Sequence, residues 1–309
     1  MANAAPSSNQ RKPAWLRMKP PRPSEAESVL KTVQTFGLET VCREARCPNA
    51  LDCHARGTAT FMILGAICTR ACRFCNVATG RPEALDATEP ARLALAVQRL
   101  GLRYCVITSV DRDDLPDFGA AHFAACIRAV RHKNPDCIIE VLTPDFNGRL
   151  AAIEEVVAAR PDVFNHNLET VPRLSPAIRP KADYHQSLHM LQFVKQLDPA
   201  LTTKSGVMVG LGERPDEVVP ALEDMRAHGV EIVTIGQYLR PTSRHAAVAR
   251  YVPPAEFAEW ARIARELGFA HAFCGPLVRS SFHADEVFAT AHAATLQPST
   301  VFSDKMSTL

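Results

Sequence analysis

KSGVMVGLGERPDEVVPALEDMRAHGVEIVTIG, residues 204–236, holds one complete strand–helix–strand unit. Its two apolar runs, KSGVMVG (204–210) and VEIVTIG (230–236), are short and bounded by glycine, as buried strands are. Between them Val218, Leu222 and Met225 recur at helical spacing, and Gly229 supplies the residue type that ends a helix. Strand, helix and strand in succession make a parallel pair joined by a right-handed crossover. The plan extends upstream through TATFMILG (58–65), RYCVITS (103–109), CIIEVL (137–142) and DVFNHNL (162–168). Helical spacing recurs at Phe123, Ile127 and Val130, and at Phe257, Trp260, Ala261 and Ala264. Gly101 and Gly268 end further helices, while Pro135, Pro161 and Pro199 mark the same junction elsewhere.

Six such units, repeating about every 35 residues, are too few for a closed eight-stranded barrel. They predict an α/β fold, a partial (β/α)6 barrel of parallel strands with N-terminal and C-terminal extensions, or else an open doubly wound sheet. Residues 1–25, with Pro13, Pro20, Pro21 and Pro23, read as a mobile or wrapping arm. Residues 26–58 read as an extension with a short helical pattern (Val29, Leu30, Val33, Phe36), 59–275 as the barrel and 276–309 as a C-terminal segment. In this architecture ligands bind at the C-terminal ends of the strands. Polar residues gather there: Thr108, Ser109 and Asp111; Thr143 and Asp145; Asn165, Asn167 and Glu169; Glu213; Gln237 and Arg240.

Composition narrows the function classes. The 309 residues carry 35 Lys plus Arg against 33 Asp plus Glu, a formal charge of +2 that makes no case for nucleic acid or an anionic membrane. No run approaches the roughly 18 apolar residues of a membrane span. The start, MANAAPSSNQRKPAWLRMKPPRP, lacks the apolar core of a signal peptide, which predicts a cytoplasmic chain. In that reducing compartment ten cysteines are not a disulfide framework.

Cys68, Cys72 and Cys75 are spaced C-x3-C-x2-C in the loop after the first strand, with Phe74 before the last. A structural zinc site closes with four ligands, so three fit it poorly. Three thiolates suit a 4Fe-4S cluster with one iron left open for a small chelating ligand. Cys42, Cys47 and Cys53, spaced C-x4-C-x5-C, lie just before the first strand; by themselves they could be unrelated loop cysteines. Cys105 and Cys137 fall inside apolar strands and Cys126 inside a helix, so they, with Cys274, read as small buried hydrophobes. His185 and His189, spaced i and i+4, match no metalloprotease pattern and read as solvated.

The C-x3-C-x2-C loop resembles that of the radical S-adenosylmethionine superfamily. Within it, VCREARCPNALDC, CTRACRFCNVATGRP, VITSVDRDDLPDFGAAHF, FNHNLETV, KSGVMVGLGE and IGQYLRPT resemble the lipoyl synthase family. The likeness runs from RKPAWLR (11–17) to VRSSFHADE (278–286), and C-x4-C-x5-C is specific to that family.

The resemblance implies that Cys68, Cys72 and Cys75 hold a 4Fe-4S cluster. Its open iron chelates S-adenosylmethionine, which is cleaved reductively to a 5′-deoxyadenosyl radical. It implies that Cys42, Cys47 and Cys53 hold a second, auxiliary 4Fe-4S cluster, with a serine of an Arg-Ser-Ser-Tyr motif as fourth ligand. Here that motif reads Arg279, Ser280, Ser281, Phe282, which assigns Ser281, with Ser280 as the fallback. Phe282 replaces the usual Tyr, and His54 stands where an aromatic such as Trp is commoner. For S-adenosylmethionine the family pattern implies contacts from Ser109 at the rim, from Gly206, Met208 and Gly210 on the adenine, and from Asn167 and Glu169 on the ribose. Arg179 is the cation for the methionyl carboxylate, with Arg173 and Lys204 as competitors.

The implied reaction inserts sulfur at C6 and C8 of an octanoyl group on a lysine of a lipoyl carrier, the 2-oxoacid dehydrogenase acyltransferase or the glycine-cleavage H protein. Alkyl C–H bonds offer neither an acidic proton nor a leaving group, so acid–base and nucleophilic routes are closed and a radical is needed. Further implied partners are an electron donor such as flavodoxin or ferredoxin and an iron-sulfur carrier protein that repairs the consumed cluster. An acidic carrier would match the basic segment RKPAWLRMKPPRP. A methylthiolating two-cluster enzyme and a zinc-stabilised binding module are the alternatives.

Overall fold

A computed structural model describes residues 11–17, 31–44, 49, 53, 58–281 and 284; the side chains of Cys42 and Arg43 lie outside this description. Among the described residues ten strands are formed: β1 (Glu39–Thr40), β2 (Thr58–Ile63), β3 (Ile67–Cys68), β4 (Ala78–Thr79), β5 (Tyr104–Ser109), β6 (Ile138–Leu142), β7 (Val163–Asn165), β8 (Thr202–Val209), β9 (Ile232–Gln237) and β10 (His271–Gly275). Helices α1 (Val41–Glu44), α2 (Glu89–Leu100), α3 (Ala120–Lys133), α4 (Leu150–Ala158), α5 (Ser175–Ile178), α6 (Tyr184–Leu197), α7 (Pro215–Ala227) and α8 (Pro254–Glu266) alternate with them.

Eight strands form one sheet in the order β1-β2-β5-β6-β7-β8-β9-β10, and every pairing is parallel except β1 against β2. Among the described residues β10 does not pair back to the first strands, so the barrel stays open, as expected for a partial (β/α) barrel. The strand count departs from the sequence reading. Six expected strands are joined by β10 (HAFCG), the short strand-like run after Gly268 that stands outside the six units, and by the antiparallel edge strand β1.

Alternation along the strands divides the barrel into two surfaces. Phe61, Ile63, Cys105, Ile107, Ile139, Val141, Val233 and Ile235 point outward and join Val97, Phe123, Ile127, Leu191, Leu222 and Trp260 of the helices in one apolar core. Truncating a buried member such as Ile127 to Ala would cost about 2–5 kcal/mol. Cys105, Cys126 and Cys137 belong to this core, where burial pushes their thiols up. The inward face carries small or polar side chains, Thr60, Thr108, Gly206, Thr234 and Gly236 among them, and these open onto a cavity.

The N-terminal ends of the strands are sealed differently. Lys204 of β8 donates to both oxygens of Glu140 on β6 at 3.0 Å. Tyr104 Oη and Asn165 Nδ2 donate to the same carboxylate at 2.6 and 2.8 Å.

Of the expected arm, residues 11–17 hold a 3-10 turn at Ala14–Leu16 with Leu16 buried, while 1–10 and 18–30 lie outside the described residues. Val33 packs into the core as the helical pattern predicted. Among the described residues no helix is long and apolar enough to cross a membrane.

Candidate active site

The loop from β3 to β4 follows the first barrel strand and carries Cys68, Cys72 and Cys75 into the wall of a cavity of about 540 Å³ at the C-terminal ends of the strands. Phe74 lines the cavity with the thiols and packs against a small apolar cluster of Ile178, Leu211, Tyr238 and Ala246, which explains an aromatic at that position. The loop after β9 braces it: His245 Nε2 lies 2.9 Å from the Cys75 carbonyl, and the Ala246 N–H donates to the Arg73 carbonyl at 2.8 Å. Arg70, nearly fully buried, ties the loop to Asp113 at 2.7 Å, Asp145 at 2.8 Å and Asp111 at 3.3 Å.

Burial, reinforced by the Asp111 carboxylate, pushes the Cys68 and Cys72 thiols up to about 12, and burial raises Cys75 as well. Such thiols keep their protons until a metal cation takes the proton's place, which is how iron ligands behave. Among the described residues no three thiol, imidazole or carboxylate groups converge on a single-ion position. Cubane thiolates bind different irons and so stand apart.

The remaining wall is polar and incompletely satisfied. Ser109 Oγ, Thr143 Oγ1, Asp145 Oδ2 and Asn167 Oδ1 are buried in it without a hydrogen-bond partner. Asn167 Nδ2 donates to Glu169 Oε1 at 3.1 Å; burial raises the Glu169 carboxyl, and Arg179 partly offsets that rise. Arg179 is buried and donates to the Leu168 carbonyl at 3.1 Å. At Gly206 a Cβ would stand 2.3 Å from Thr234 Oγ1 and 3.1 Å from Asn167 Oδ1, so the backbone itself forms this part of the wall. Met208 lies beside it. These orphaned groups fit a ligand that has both hydroxyl and charged groups.

Ser280 and Ser281 complete the same cavity wall. Their segment crosses β9 at Gly236, where a Cβ would stand 2.1 Å from the Val278 carbonyl. Asn49, between Cys47 and Cys53, donates from Nδ2 to the Leu277 carbonyl at 2.7 Å. Asn76, next to Cys75, donates to the Glu44 carbonyl at 2.8 Å, two residues from Cys42. The segment bearing the N-terminal cysteines is thus bonded on one side to the cysteine loop and on the other to the serine segment. Cys53 is buried. Cys47, His54, Phe282 and the Cys42 side chain lie outside the described residues.

Several expected residues are placed elsewhere. Gly210 is outside the cavity wall: its φ of 97° and the approach of Gln237 and the Arg250 carbonyl account for the glycine. Glu213 accepts the N–H groups of Gly210, Leu211 and Gly212 at 2.6–3.1 Å and so shapes that turn. Gln237 donates to the carbonyls of Val209, Tyr238 and Arg250. Arg173 pairs with Glu217 on the surface and Lys204 with Glu140 at the far end, which leaves Arg179 as the one of the three cations in the cavity wall. His185 and His189 are exposed; His185 meets Tyr184 edge-on and His189 meets His228 at a tilt. Arg70, His245, Asn49, Asn76 and Gly236 escaped the sequence reading because their roles are contacts across 30 to more than 200 residues.

The model of the Radical SAM superfamily matches residues 62–235. Lipoyl synthase of Rubrobacter xylanophilus is 55% identical over 285 residues, covering 92% of this chain and 89% of that protein. Lipoyl synthase of Aeromonas hydrophila subsp. hydrophila is 56% identical over 277 residues, covering 89% of this chain and 86% of that one. The crystal structure of methylornithine synthase resembles the fold with a TM-score of 0.53 at 12% identity, covering 78% of this chain and 77% of the other.

Proposed function

Because this chain belongs to the lipoyl synthase family within the radical SAM superfamily, we propose that it inserts two sulfur atoms, at C6 and C8, into an octanoyl group carried on a lysine of a lipoyl carrier protein. It is a radical S-adenosylmethionine enzyme, and its family uses a 4Fe-4S cluster and acts on a lipoyl carrier. Cys68, Cys72 and Cys75 hold the radical-generating cluster; Cys42, Cys47, Cys53 and Ser281 hold an auxiliary one. Held there, the first cluster would supply a reducing electron to S-adenosylmethionine, and the second would supply sulfur.

The chain's own residues bind and orient. Arg179 neutralises the methionyl carboxylate, Asn167 and Glu169 take the ribose hydroxyls, Ser109 offers a hydroxyl, and Gly206 with Met208 forms a flat seat for the adenine. A thiolate-rich wall on one side and a serine oxygen on the other make the donor set asymmetric, and oxygen is the harder ligand for iron. Residues 59–275 act as the barrel, 26–58 as the extension that carries Cys42, Cys47 and Cys53, 276–309 as the segment that carries Ser281, and 1–25 as an arm whose basic residues suit an acidic carrier. The carrier is the acyltransferase or H-protein type, a flavodoxin or ferredoxin is the electron source, an iron-sulfur carrier rebuilds the auxiliary site, and the cytoplasm is the compartment.

One observation carries this reading: Ser280 and Ser281 share a cavity wall with Cys68, Cys72 and Cys75 while Asn49 of the second cysteine segment bonds to Leu277. Iron and acid-labile sulfide are to be counted after anaerobic reconstitution, with about eight irons per chain expected for two clusters. Replacing Cys42, Cys47 and Cys53 by Ala should preserve 5′-deoxyadenosine formation and abolish sulfur insertion. Ser281→Ala should do the same and Ser280→Ala should not; the reverse pattern moves the ligand by one residue, and zinc in place of iron defeats the reading.

A further inference from the structure

The string VDRDDLPDFGAAHF, residues 110–123, enters the cavity wall with Val110 and Asp111 only, yet its other residues converge on the chain just before the cysteine loop. Leu64, the residue after β2, sits in the left-handed region at φ 69°, where a leucine is strained. Its N–H donates to Glu89 Oε2 at 2.9 Å, and that oxygen also meets His122 Nε2 at 2.7 Å. Its carbonyl accepts Arg112 Nη1 at 3.2 Å. Its side chain fills the room that Gly119 leaves, since a Cβ there would stand 2.5 Å from Leu64 Cδ1. Five residues on, the Thr69 hydroxyl donates to the Asp111 carbonyl at 3.0 Å and accepts the Asp113 N–H at 3.0 Å. Leu64, Glu89, Arg112 and His122 are all buried, and neither Glu89 nor His122 reaches the cavity.

We infer that residues 110–122, with Glu89 of α2, form a cradle that holds the Cys68 loop in its cluster-receiving shape before iron arrives, and that Glu89 and His122 are positioning residues for the radical-generating triad. The inference rests on the reading of Cys68, Cys72 and Cys75 as cluster ligands. A strained backbone persists only where its surroundings over-determine it. Without the carboxylate on its N–H, Leu64 relaxes toward an ordinary φ, and the chain leaving β2 swings the first cysteine away from the other two. A cluster site displaced by a fraction of an ångström loses its bound geometry, although no ligand has been touched.

The test uses Glu89→Ala and Glu89→Gln in a full chain whose Cys42, Cys47 and Cys53 are Ala, so that only the Cys68 triad holds iron. In the metal-free protein, Glu89→Ala should speed amide hydrogen exchange of residues 64–70 by roughly tenfold or more while β8 and β9 stay unchanged. After anaerobic reconstitution it should lose most of its iron and the change that S-adenosylmethionine produces in the reduced cluster's EPR spectrum. Glu89→Gln keeps an oxygen for the Leu64 N–H and should recover most of both. Gly119→Ala, which presses on Leu64 from the opposite side with Glu89 intact, should reproduce the local exchange. Unchanged exchange and spectra in Glu89→Ala overturn the inference, as does exchange rising equally in β8 and β9. If the parent with Glu89 holds no iron, the cluster assignment fails, and the metal-free exchange still decides the cradle.

Discussion

Two cations are buried at opposite ends of one barrel, and their surroundings differ in kind. Lys204 is matched by both oxygens of Glu140, and Tyr104 and Asn165 complete the carboxylate's hydrogen bonds. Arg179 donates to a neutral carbonyl in a wall where Ser109, Thr143, Asp145 and Asn167 each keep a buried polar atom unpartnered. Leaving such an atom unsatisfied costs about 1–3 kcal/mol. Asn165 Oδ1 and Ser205 Oγ stay unpartnered at the closed end too, so the difference lies in charge: one buried cation is matched by a carboxylate, and the other donates to a carbonyl and has room for an anionic ligand.

That contrast breaks if a change at the closed end alters ligand binding, or if removing the Arg179 charge at the open end alters stability. The largest effect is expected from Lys204→Met, which strands the Glu140 charge and should cost about 3–5 kcal/mol in chemical unfolding. The double variant Lys204→Met, Glu140→Leu should regain most of that loss. A Lys204→Met protein of normal stability with weakened S-adenosylmethionine binding would reverse the two ends.

His166 sharpens the picture from the open end. Burial lowers its pKa to about 4, with Arg179 adding to the drop, so the folded chain holds it neutral. The unfolded chain takes up the proton near 6.5, so stability is full above that pH and declines as pH falls to about 4, by roughly 3 kcal/mol in all. Denaturant midpoints for His166→Gln should be flatter across this window; an unaltered slope would show that another group is responsible.

Arg179→Ala should weaken S-adenosylmethionine binding by about 100-fold, the scale of a lost charge-assisted hydrogen bond, with little change in Tm. The smallest effect is expected at Gly206→Ala, whose methyl meets the movable Thr234 hydroxyl: roughly tenfold weaker binding by calorimetry, about 1.4 kcal/mol. Equal binding by this variant would mean that the adenine lies elsewhere.

The division between the two ends was only half legible in the sequence. Apolar period and glycine stops located the six main strands, and the cysteine spacing located the loop on which the cavity is built. Strand-end position correctly pointed Thr108, Ser109, Thr143, Asn167 and Glu169 at the cavity. It could not tell them from Asn165, Glu213 and Gln237, because what consumes those side chains is a carboxylate on β6, the N–H groups of a turn and carbonyls as far on as Arg250. Leu64 carries no sign of its left-handed φ, since leucine is not a residue that seeks it. Lys204, one candidate for the methionyl carboxylate, was set aside only by its partner on another strand.

The bond from Asn49 to the Leu277 carbonyl spans 228 positions. During synthesis at roughly 5–20 residues per second, the N-terminal cysteines leave the ribosome about 10–45 seconds before the backbone that receives them. By then every strand of the barrel has been made, the Cys68 loop and its supporting turns long among them. If the two cysteine segments hold clusters as proposed, their sites become available in a fixed order, and iron supplied early would meet only the Cys68 loop.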